Sequence, residues 1–298
     1  MIYITGASGR LGKEILKKIP NAIPLVRTKK GLKNEIVTNF SEKELKKILK
    51  NAKILIHLAG SMNFIDPTEM LEVNVHLTQR IVNSVPKNSR IIFASSISVY
   101  GKDLKEIPAD ENTPVNPDSV YSKSKFGAEG IVLQHPDYVI LRIGNVYGPG
   151  FEDYTKILQM IKEGKMYQLG NGQNKIPFVH VEDVADAVKN SLKAEKGTYL
   201  VCGESLTQEE IFRISAEELG VNPPRNYIPV SMALAMMKIE EQKAIFMNKK
   251  PKLTQEHILV LSSNREFDSS KAKKELGFKP RPLKKGIKEL VKSIYKDF

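Results

Sequence analysis

The segment VYSKSKFGAE, residues 120–129, contains a tyrosine and a lysine four positions apart, Tyr121 and Lys125. On a helix this spacing places both side chains on one face. A tyrosine, with an ordinary pKa of about 10, is a weak base near neutral pH, and a cation within about 4–6 Å favours its phenolate. The two residues therefore form either a proton-transfer pair or part of an ordinary solvated helix face. Lys123, two positions from Tyr121, points away from it and is expected in solvent.

A group of hydroxyl side chains ends the apolar run RIIFASSISVYG, residues 90–101. The apolar part of this run predicts a buried strand, which places Ser95 and Ser96 at its carboxyl end. Ligands of open α/β sheets bind outside the carboxyl ends of the strands. The two serines are therefore expected at the ligand-binding edge of a sheet.

A glycine-rich turn follows the first apolar run of the chain. IYIT leads directly into TGASGRLG, residues 5–12, which opens the helical pattern LGKEILKKI. Glycines in such a turn let backbone N–H groups and a helix N-terminus approach a pyrophosphate without a Cβ in the way. We assign this role to Gly6, Gly9 and Gly12. A tight strand-to-helix turn is the alternative, but the position at the first βα junction favours a dinucleotide site.

Short apolar runs alternate with helix-period segments along the first two thirds of the chain, and such strands predict a parallel sheet covered on both faces. The predicted fold class is α/β, with a Rossmann-type doubly wound parallel sheet. The helical patterns cover residues 11–19, 41–49, 67–84, 121–134 and 182–193. The apolar runs are IYIT (2–5), AIPLV (22–26), EIV (35–37), KILIHLA (53–59), RIIFASS (90–96), YVILRI (138–143) and TYLV (198–201).

A second, mainly helical part is expected towards the C-terminus. After about Thr207 the pattern changes to helices and loops with several prolines, and the stretch after Gly150 also interrupts the α/β alternation. We predict an NAD(P)-binding Rossmann domain at residues 1–150, to which residues 176–204 return. A smaller substrate-binding lobe is expected at residues 205–298, with a contribution from residues 151–175. This lobe would cap the carboxyl edge of the sheet.

The composition is that of an ordinary globular protein, because 298 residues with 41% hydrophobic content can bury a core. The net charge of +12 is scattered over amphipathic segments, so no nucleic-acid partner is expected. A single cysteine, Cys202, excludes an internal disulfide framework and a multi-cysteine metal site, and no metal is predicted. The opening MIYITG shows no charged leader, and no window approaches the ~20 apolar residues of a membrane helix. We expect a cytoplasmic protein without membrane contact.

The glycine spacing G-x-x-G-x-x-G occurs in one chain with HLAG (57–60), SSISVYG (95–101) and YSKSK (121–125). This set resembles the extended branch of the short-chain dehydrogenase/reductase family. The resemblance implies three catalytic residues: Ser96 holds a substrate oxygen, Tyr121 is the acid/base, and Lys125 tunes it and holds the nicotinamide ribose. The residues predicted to bind the cofactor, from the motifs, the charges and the resemblance together, are Thr5, Gly6, Ser8, Gly9, Arg10, Leu11, Gly12, Arg27, Asn39, Phe40, Leu58, Ala59, Gly60, Asn74, Ser95, Tyr121 and Lys125.

The choice of dinucleotide is predicted from charge. An acid at the end of the second strand would bind the ribose 2′-hydroxyl of NAD and repel the 2′-phosphate of NADP. This strand ends PLVRTKK, with Arg27, Lys29 and Lys30 and no acid, and Arg10 adds a cation in the glycine loop. We therefore predict that NADP is preferred over NAD. The alternative is that these are surface cations and that the enzyme accepts either cofactor. Asn39 stands where the family usually has an aspartate beside the adenine.

The resemblance leaves the reaction open. Asn145, in NVYGP, matches an asparagine with which family members acting on nucleotide sugars contact the nucleotide or its phosphates. Ile97 and Ser98 fill the positions where the family's 4,6-dehydratases carry an acidic pair, so dehydration is disfavoured. We identify no equivalent of the late arginine that pairs with the substrate diphosphate in 4-epimerases. The stretch SKAKKELGF resembles the branch that contains dihydroflavonol reductases.

The expected activity is hydride transfer between nicotinamide C4 and a secondary alcohol or ketone carbon of a small molecule, by an NAD(P)-dependent oxidoreductase or epimerase. A nucleotide sugar or a related compound is the expected substrate. One alternative is an NADP-dependent reductase of a non-sugar ketone or aldehyde. The other is a catalytically silent, NADP-responsive regulator, which the intact Tyr121 and Lys125 disfavour. The resemblance also implies a homodimer.

Overall fold

A seven-stranded parallel sheet forms the centre of the protein. The computed structural model describes residues 1–63, 66–247 and 254–295. Their strands are β1 (Ile2–Thr5), β2 (Ile23–Val26), β3 (Ile36–Val37), β4 (Ile54–His57), β5 (Arg90–Ser96), β6 (Tyr138–Ile143), β7 (Asn145–Tyr147), β8 (Gln168–Leu169), β9 (Lys175–His180), β10 (Gly197–Val201), β11 (Ser205–Thr207) and β12 (Tyr227–Ile228). The central sheet has the order β3-β2-β1-β4-β5-β6-β10, which confirms the predicted doubly wound class.

Helices cover both faces of this sheet, as its continuous apolar strands predict. Ile15 and Val184 share a buried cluster with Ile4, whereas Val132 shares a second cluster with Tyr3. Adjacent residues of a strand point to opposite faces, so the two clusters lie on the two sides of β1. The helices are α1 (Arg10–Lys18), α2 (Glu42–Ile48), α3 (Pro67–Leu71), α4 (Leu77–Val82), α5 (Val120–Val132), α6 (Glu152–Lys162), α7 (Val181–Asn190), α8 (Gln208–Leu219), α9 (Val230–Phe246), α10 (Gln255–Ser262), α11 (Ser270–Glu275) and α12 (Leu283–Ile294).

The strand order places a crevice at the carboxyl ends of β1 and β4. The chain leaves β1 towards β2 on one side, and β4 lies on the other, so the connections after these strands diverge. The register pairs Thr5 with His57 and His57 with Phe93. Ser96 ends β5 opposite Ile143 of β6 at the same edge. The glycine loop after β1 and the serines of β5 therefore flank the end of β4.

The helical pattern predicted at residues 67–84 forms three consecutive pieces. Between α3 and α4 the backbone widens into a π-helical segment at Glu72–His76, which contains Asn74. The Asn74 side chain is hydrogen-bonded to both the N–H and the C=O of Ser61. Widened turns of this kind are frequent at functional sites. The wider turn occurs where the Asn74 side chain points inward to Ser61. Helical periodicity in the sequence does not reveal such a turn.

The rest of the chain builds smaller sheets and a separate apolar cluster. β11, β9 and β7 form a three-stranded sheet, and β12 pairs with β8. Leu158 of α6, Phe212 of α8 and Ile287 of α12 are buried together in one cluster. The division into a Rossmann domain and a substrate lobe stays a prediction. None of the described helices combines the length and hydropathy that crossing a membrane requires.

Candidate active site at the carboxyl edge of the sheet

Helix α5 carries the Tyr121–Lys125 pair. It begins with a capping box, in which the Ser119 hydroxyl accepts from the Ser122 N–H while the Ser122 side chain accepts from the Ser119 N–H. This reciprocal cap satisfies two N–H groups at the helix start and fixes Tyr121 in its first turn. Lys125 is buried, whereas Lys123 is exposed. The structure thus confirms that Lys123 faces solvent.

The Tyr121 phenol meets Ser96 at the end of β5. The two side chains are hydrogen-bonded, and Ser96 also accepts from the Ser98 N–H at 3.1 Å. Burial raises the pKa of Tyr121 above its ordinary value, and the hydrogen bond with Ser96 opposes this rise. The structure therefore brings together the hydroxyl and the phenol that the sequence places in separate elements.

The Lys125 ammonium lies against β5. It donates to the carbonyl oxygen of Ala94 at 2.5 Å and lies 4.3 Å from the ring centroid of Phe93. Burial lowers the pKa of Lys125 to about 8, while the negative charge of Glu129 acts in the opposite direction. A lysine with this pKa is largely charged at neutral pH. A Cβ added at Gly60 would lie 3.9 Å from the Lys125 nitrogen, so the loop after β4 runs beside the ammonium.

Asn74 joins the loop after β4 to helix α5. Its Oδ1 accepts from the Ser61 N–H at 2.8 Å, and its Nδ2 donates to Ser61 O at 3.0 Å and to Ser124 Oγ at 2.9 Å. The amide is buried, so these bonds consume its donors and one acceptor. In this arrangement Asn74 holds the loop that contains Gly60 against the helix that carries Lys125. Asn74 was among the residues predicted from the sequence, whereas its partners Ser61 and Ser124 were not.

His57, at the end of β4, is a buried link rather than a titrating group. Its Nδ1 is hydrogen-bonded to Thr5 Oγ1 at 2.7 Å and its Nε2 to Thr78 Oγ1 at 2.9 Å. Thr78 donates to the Asn74 carbonyl, so it accepts from His57, which places the imidazole proton on Nε2. Burial, with a smaller contribution from the charge of Lys125, lowers the pKa of His57 to about 3. The ring is neutral and connects β1, β4 and α4.

The glycine loop has the geometry of a phosphate cradle. Gly6 has φ +71°, and a Cβ there would lie 2.7 Å from the Ala59 nitrogen; a Cβ at Gly12 would overlap the Gly6 carbonyl oxygen. Gly9 forms the N-cap of α1 and contributes no side chain, and the first turn of α1 contains no acid. Backbone N–H groups at this helix start are suited to a phosphate group. The residues present therefore fit a dinucleotide.

The predicted 2′-phosphate cations are exposed around this loop. The Arg10 guanidinium lies 4.7 Å from the ring centroid of Phe151 and 3.8 Å from an oxygen of Asp153. Arg27 is exposed at the end of β2. The following turn is held by Glu35, whose carboxylate accepts the N–H groups of residues 30, 31 and 32. Arg10 thus lies within the loop, and Arg27 directly follows β2, the strand next to β1.

The other residues predicted to bind the cofactor differ in how accessible their side chains are. Asn39 is exposed, and its Oδ1 accepts from the Ser41 N–H at 2.7 Å. Phe40 has the left-handed φ of +58°, and its ring is buried in the core. Any contact of Phe40 with an adenine would therefore involve its backbone. Ser8 and Gly9 are exposed, and Leu11, Leu58 and Ala59 are half-buried around the loop.

Ser95 is bound to a buried ion pair behind the site. Its hydroxyl donates to Glu129 Oε1 at 2.5 Å, and Arg142 donates to the same carboxylate through Nε at 3.1 Å and Nη2 at 2.8 Å. Tyr100 accepts from Arg142 Nη1 at 2.7 Å. Neither Glu129 nor Arg142 was predicted from the sequence. The sequence feature that could have indicated Glu129 is its position four residues after Lys125, which places both side chains on one helix face.

Asn145 begins β7 and pairs with Phe178 of β9. Its Nδ2 is buried and has no hydrogen-bond partner among the residues that the structure describes. A buried amide donor without a partner costs free energy, and most such groups are satisfied by water or a ligand. The predicted substrate contact is therefore available for a hydrogen bond.

The sequence model of the NAD dependent epimerase/dehydratase family matches residues 2–203. The chain belongs to this family. It is 30% identical over 253 residues to "Putative UDP-glucose 4-epimerase" of Methanocaldococcus jannaschii, with 74% of this chain and 83% of that protein covered. These findings confirm the resemblance to extended short-chain dehydrogenases.

Two eukaryotic relatives extend well beyond the part of their sequence that aligns with this chain. Mouse short-chain dehydrogenase/reductase family 42E member 1 is 26% identical over 254 residues, with 74% of this chain and 64% of that protein covered. The 3beta-hydroxysteroid-dehydrogenase/decarboxylase isoform 1 of Arabidopsis thaliana is 28% identical over 273 residues, with 82% of this chain and 62% of that protein covered. The chain thus spans less than two thirds of either protein's length.

Solved structures share the whole fold. UDP-N-acetylglucosamine 4-epimerase from Bacillus cereus superposes with a TM-score of 0.77 at 23% identity, covering 99% of both chains. The human epimerase family protein SDR39U1 with NADPH has a TM-score of 0.78 at 18% identity, covering 98% of this chain and 99% of that one. At these identities the likeness establishes the fold alone.

Proposed function

We propose that this protein is an NAD(P)-dependent oxidoreductase or epimerase that interconverts a secondary alcohol and a ketone. The observation that carries the proposal is the hydrogen bond between Ser96 and Tyr121, with the buried Lys125 one helical turn away, at the sheet edge that also carries the glycine loop. A nucleophile or metal is not required for this chemistry, because one proton and one hydride are exchanged. The bound nicotinamide would supply or accept the hydride.

The chain's own residues supply the proton path and the orientation. Ser96 donates to the substrate oxygen and holds the reacting carbon at the edge of β5. Tyr121 gives its proton to that oxygen during reduction and receives it during oxidation. The Lys125 ammonium, one helical turn away, favours the phenolate that results. Lys125 also holds the nicotinamide ribose.

The glycine loop and its borders would hold the dinucleotide. Gly6, Gly9 and Gly12 leave room for the pyrophosphate at the start of α1. Arg27 at the end of β2 and Arg10 in the loop favour a 2′-phosphate, so we propose NADP as the preferred cofactor and NAD as the weaker one. Structural neighbours hold NADPH or NAD, so the preference rests on the cations of this chain.

We propose a nucleotide sugar as the substrate class. The Asn145 Nδ2 at the start of β7, which has no hydrogen-bond partner among the described residues, supports this. The UDP-sugar 4-epimerases among the relatives and neighbours support it as well. In an epimerase the ketone formed by oxidation is reduced on its other face, so the same three residues act twice. A net reductase of a non-sugar ketone is the second candidate, favoured by the hydroxysteroid dehydrogenase relative from Arabidopsis thaliana.

A substrate panel distinguishes these outcomes. Purified protein is incubated with NADPH or NADH and ketones, and with NADP or NAD and UDP-glucose or UDP-N-acetylglucosamine. Epimer formation without net change in cofactor absorbance at 340 nm indicates an epimerase, and net oxidation of the reduced cofactor indicates a reductase. Tight cofactor binding without turnover of any compound in the panel would support the silent regulator instead.

Light scattering of the same sample tests the predicted homodimer, and fractionation of cells tests the predicted cytoplasmic location.

A further inference from the structure

A buried carboxylate lies one helical turn beyond Lys125. Glu129 is 2% exposed, and its two oxygens accept from Ser95 Oγ at 2.5 Å and from Arg142 Nε and Nη2 at 3.1 and 2.8 Å. Removing a carboxylate from water is costly, and the two-pronged pairing with Arg142 offsets that cost. An ion pair of this kind stabilises a fold weakly at best, because an apolar pair of similar volume often serves as well.

The location of the carboxylate points to a second role. Tyr121, Lys125 and Glu129 are spaced at i, i+4 and i+8 on α5 and share one helix face. The last two bind neighbouring residues of β5, since Lys125 donates to the Ala94 carbonyl and Glu129 accepts from the Ser95 hydroxyl. The strand that ends in the predicted catalytic serine therefore fixes both charges relative to each other.

The side chains near Lys125 and Glu129 include two neutral titratable groups, His57 and Tyr100. His57 of β4 faces the ammonium and is neutral. Tyr100, beyond Arg142, is also neutral, because burial raises its pKa to about 12 against the opposing charge of Arg142. In the described part of the chain, Glu129 thus has two cations beside it, Lys125 and Arg142. Without the anion, two like charges would be left in a buried space.

The outer side of this cluster holds a second acid. Glu111 acts on Tyr100, and its Oε1 accepts from the Leu200 N–H at 2.8 Å. Its carboxylate is therefore bound to the backbone of β10. Of the two acids, Glu129 is the one whose charge acts on Lys125.

We propose that Glu129 is a positioning residue for the proton-transfer pair: its carboxylate keeps the Lys125 ammonium charged, and its hydrogen bond with Ser95 anchors α5 at the end of β5. The proposal rests on the proposed function, since it assigns Glu129 to the support of Lys125. Glu129 contacts neither substrate nor cofactor in this role. It acts through the charge and the position of the lysine.

The test measures the titration of Lys125 directly in the full chain without added cofactor. Protein labelled at lysine ¹³Cε is titrated by NMR, and the Lys125 signal is identified by its loss in K125R. We expect the wild-type signal to titrate near pH 8. In E129Q, which keeps the size and one acceptor, the midpoint should fall by at least one unit, a tenfold weaker proton affinity. An unchanged midpoint would overturn the proposal.

Arg142→Met is the matched control. It breaks the same buried ion pair and leaves the carboxylate in place, so a merely structural role would give E129Q and R142M the same effect. We expect the Lys125 midpoint in R142M to stay at or above its wild-type value. If E129Q does not fold, the double variant E129Q/R142Q removes both charges and leaves neither unpaired. Its midpoint should still fall, because the Glu129 charge that favours the Lys125 ammonium is gone, and a wild-type midpoint there would also refute the proposal.

Failure of the positioning role of Glu129 can be distinguished from failure of the proposed function. If E129Q lowers the Lys125 midpoint while Tyr121→Phe keeps full turnover, Glu129 holds the lysine but the proposed chemistry is wrong. If Tyr121→Phe abolishes turnover while E129Q leaves the midpoint unchanged, the chemistry stands and the positioning role is refuted. Where a substrate is found, the high-pH limb of kcat should move to lower pH in E129Q and stay in place in R142M.

Discussion

The Lys125 ammonium donates a 2.5 Å hydrogen bond to the backbone carbonyl of Ala94, two residues before the serine that binds the Tyr121 phenol. Helix α5 and strand β5 are therefore joined at the point where the proposed proton transfer takes place. The charge of the lysine is held by a main-chain oxygen, which a side-chain substitution on β5 does not remove. This relationship makes the lysine, the tyrosine and the strand end one unit.

Tyr121→Phe should abolish turnover. The variant removes only the phenolic oxygen, and loss of a general acid/base typically costs about 10²–10⁴ in rate. Cofactor affinity, measured by fluorescence titration with NADPH, should be nearly unchanged because the helix and its cap remain. Tyr167→Phe, at an exposed tyrosine, serves as the matched control and should keep full activity. Full activity of the Tyr121 variant would end the proposed mechanism.

Lys125→Met and Lys123→Met form a matched pair on one helix. Lys125 is buried beside the predicted ribose position, and Lys123 is exposed. We expect K125M to lower kcat by about 10²-fold or more, by the same acid/base argument, and to weaken NADPH binding, while K123M behaves as wild type. Both variants remove one lysine charge, so their comparison in one assay separates position from net charge. Equal losses in the two would contradict the assignment.

The burial of Lys125 predicts a pH dependence of stability. Its pKa is about 8 in the folded state against an ordinary 10.5, so between these values the unfolded chain binds more protons than the folded one. Stability contributed by this group is therefore present above pH 10.5 and is lost as the pH falls through 8. The free energy of unfolding of wild type should rise relative to K125M from pH 8 to 10.5. Urea unfolding of both proteins across that range checks it, and a constant difference would contradict the shift.

Arg27→Asp should reverse the predicted cofactor preference. An acid at the end of β2 can bind the ribose 2′-hydroxyl and repels a 2′-phosphate. We expect the ratio of NADPH to NADH affinity to fall about tenfold or more at low salt and less at high salt, because exposed charges are screened. Arg225→Asp, at an exposed arginine outside the glycine-loop region, makes the same change in net charge and should leave the ratio as it is. An unchanged ratio in R27D would show that Arg27 does not select the cofactor.

Gly12→Ala should damage both the fold and the dinucleotide site. The added Cβ would overlap the Gly6 carbonyl oxygen at the start of α1, and overpacking of this kind costs about 1–3 kcal/mol. Gly130→Ala is the control, because nothing lies within 4 Å of its Cβ position in helix α5. That variant should be more stable than wild type by about 0.5–1 kcal/mol. Urea unfolding and NADPH titration measure the two effects, and wild-type NADPH binding by G12A would refute the cradle.

The central sheet and the pair on α5 could be read from the sequence because their signals are local. Apolar runs of strand length, the glycine turn after IYIT and the i,i+4 spacing of Tyr121 and Lys125 all lie within a few residues. The helix that contains Asn74 was predicted, but its π-helical turn was not, since that turn accompanies hydrogen bonds to Ser61 at the end of another strand.

By itself the sequence determined the strands of the central sheet, the family and the candidate chemistry, because periodicity and motif spacing are properties of neighbouring residues. Only the tertiary structure decided which side chains meet: Ser96 with Tyr121, Lys125 with the Ala94 carbonyl, and Glu129 with Arg142. These contacts join α5 to β5 and β6, and burial between those elements sets the pKa values of Tyr121 and Lys125. Burial and long-range contact depend on how the elements pack, which local spacing does not specify.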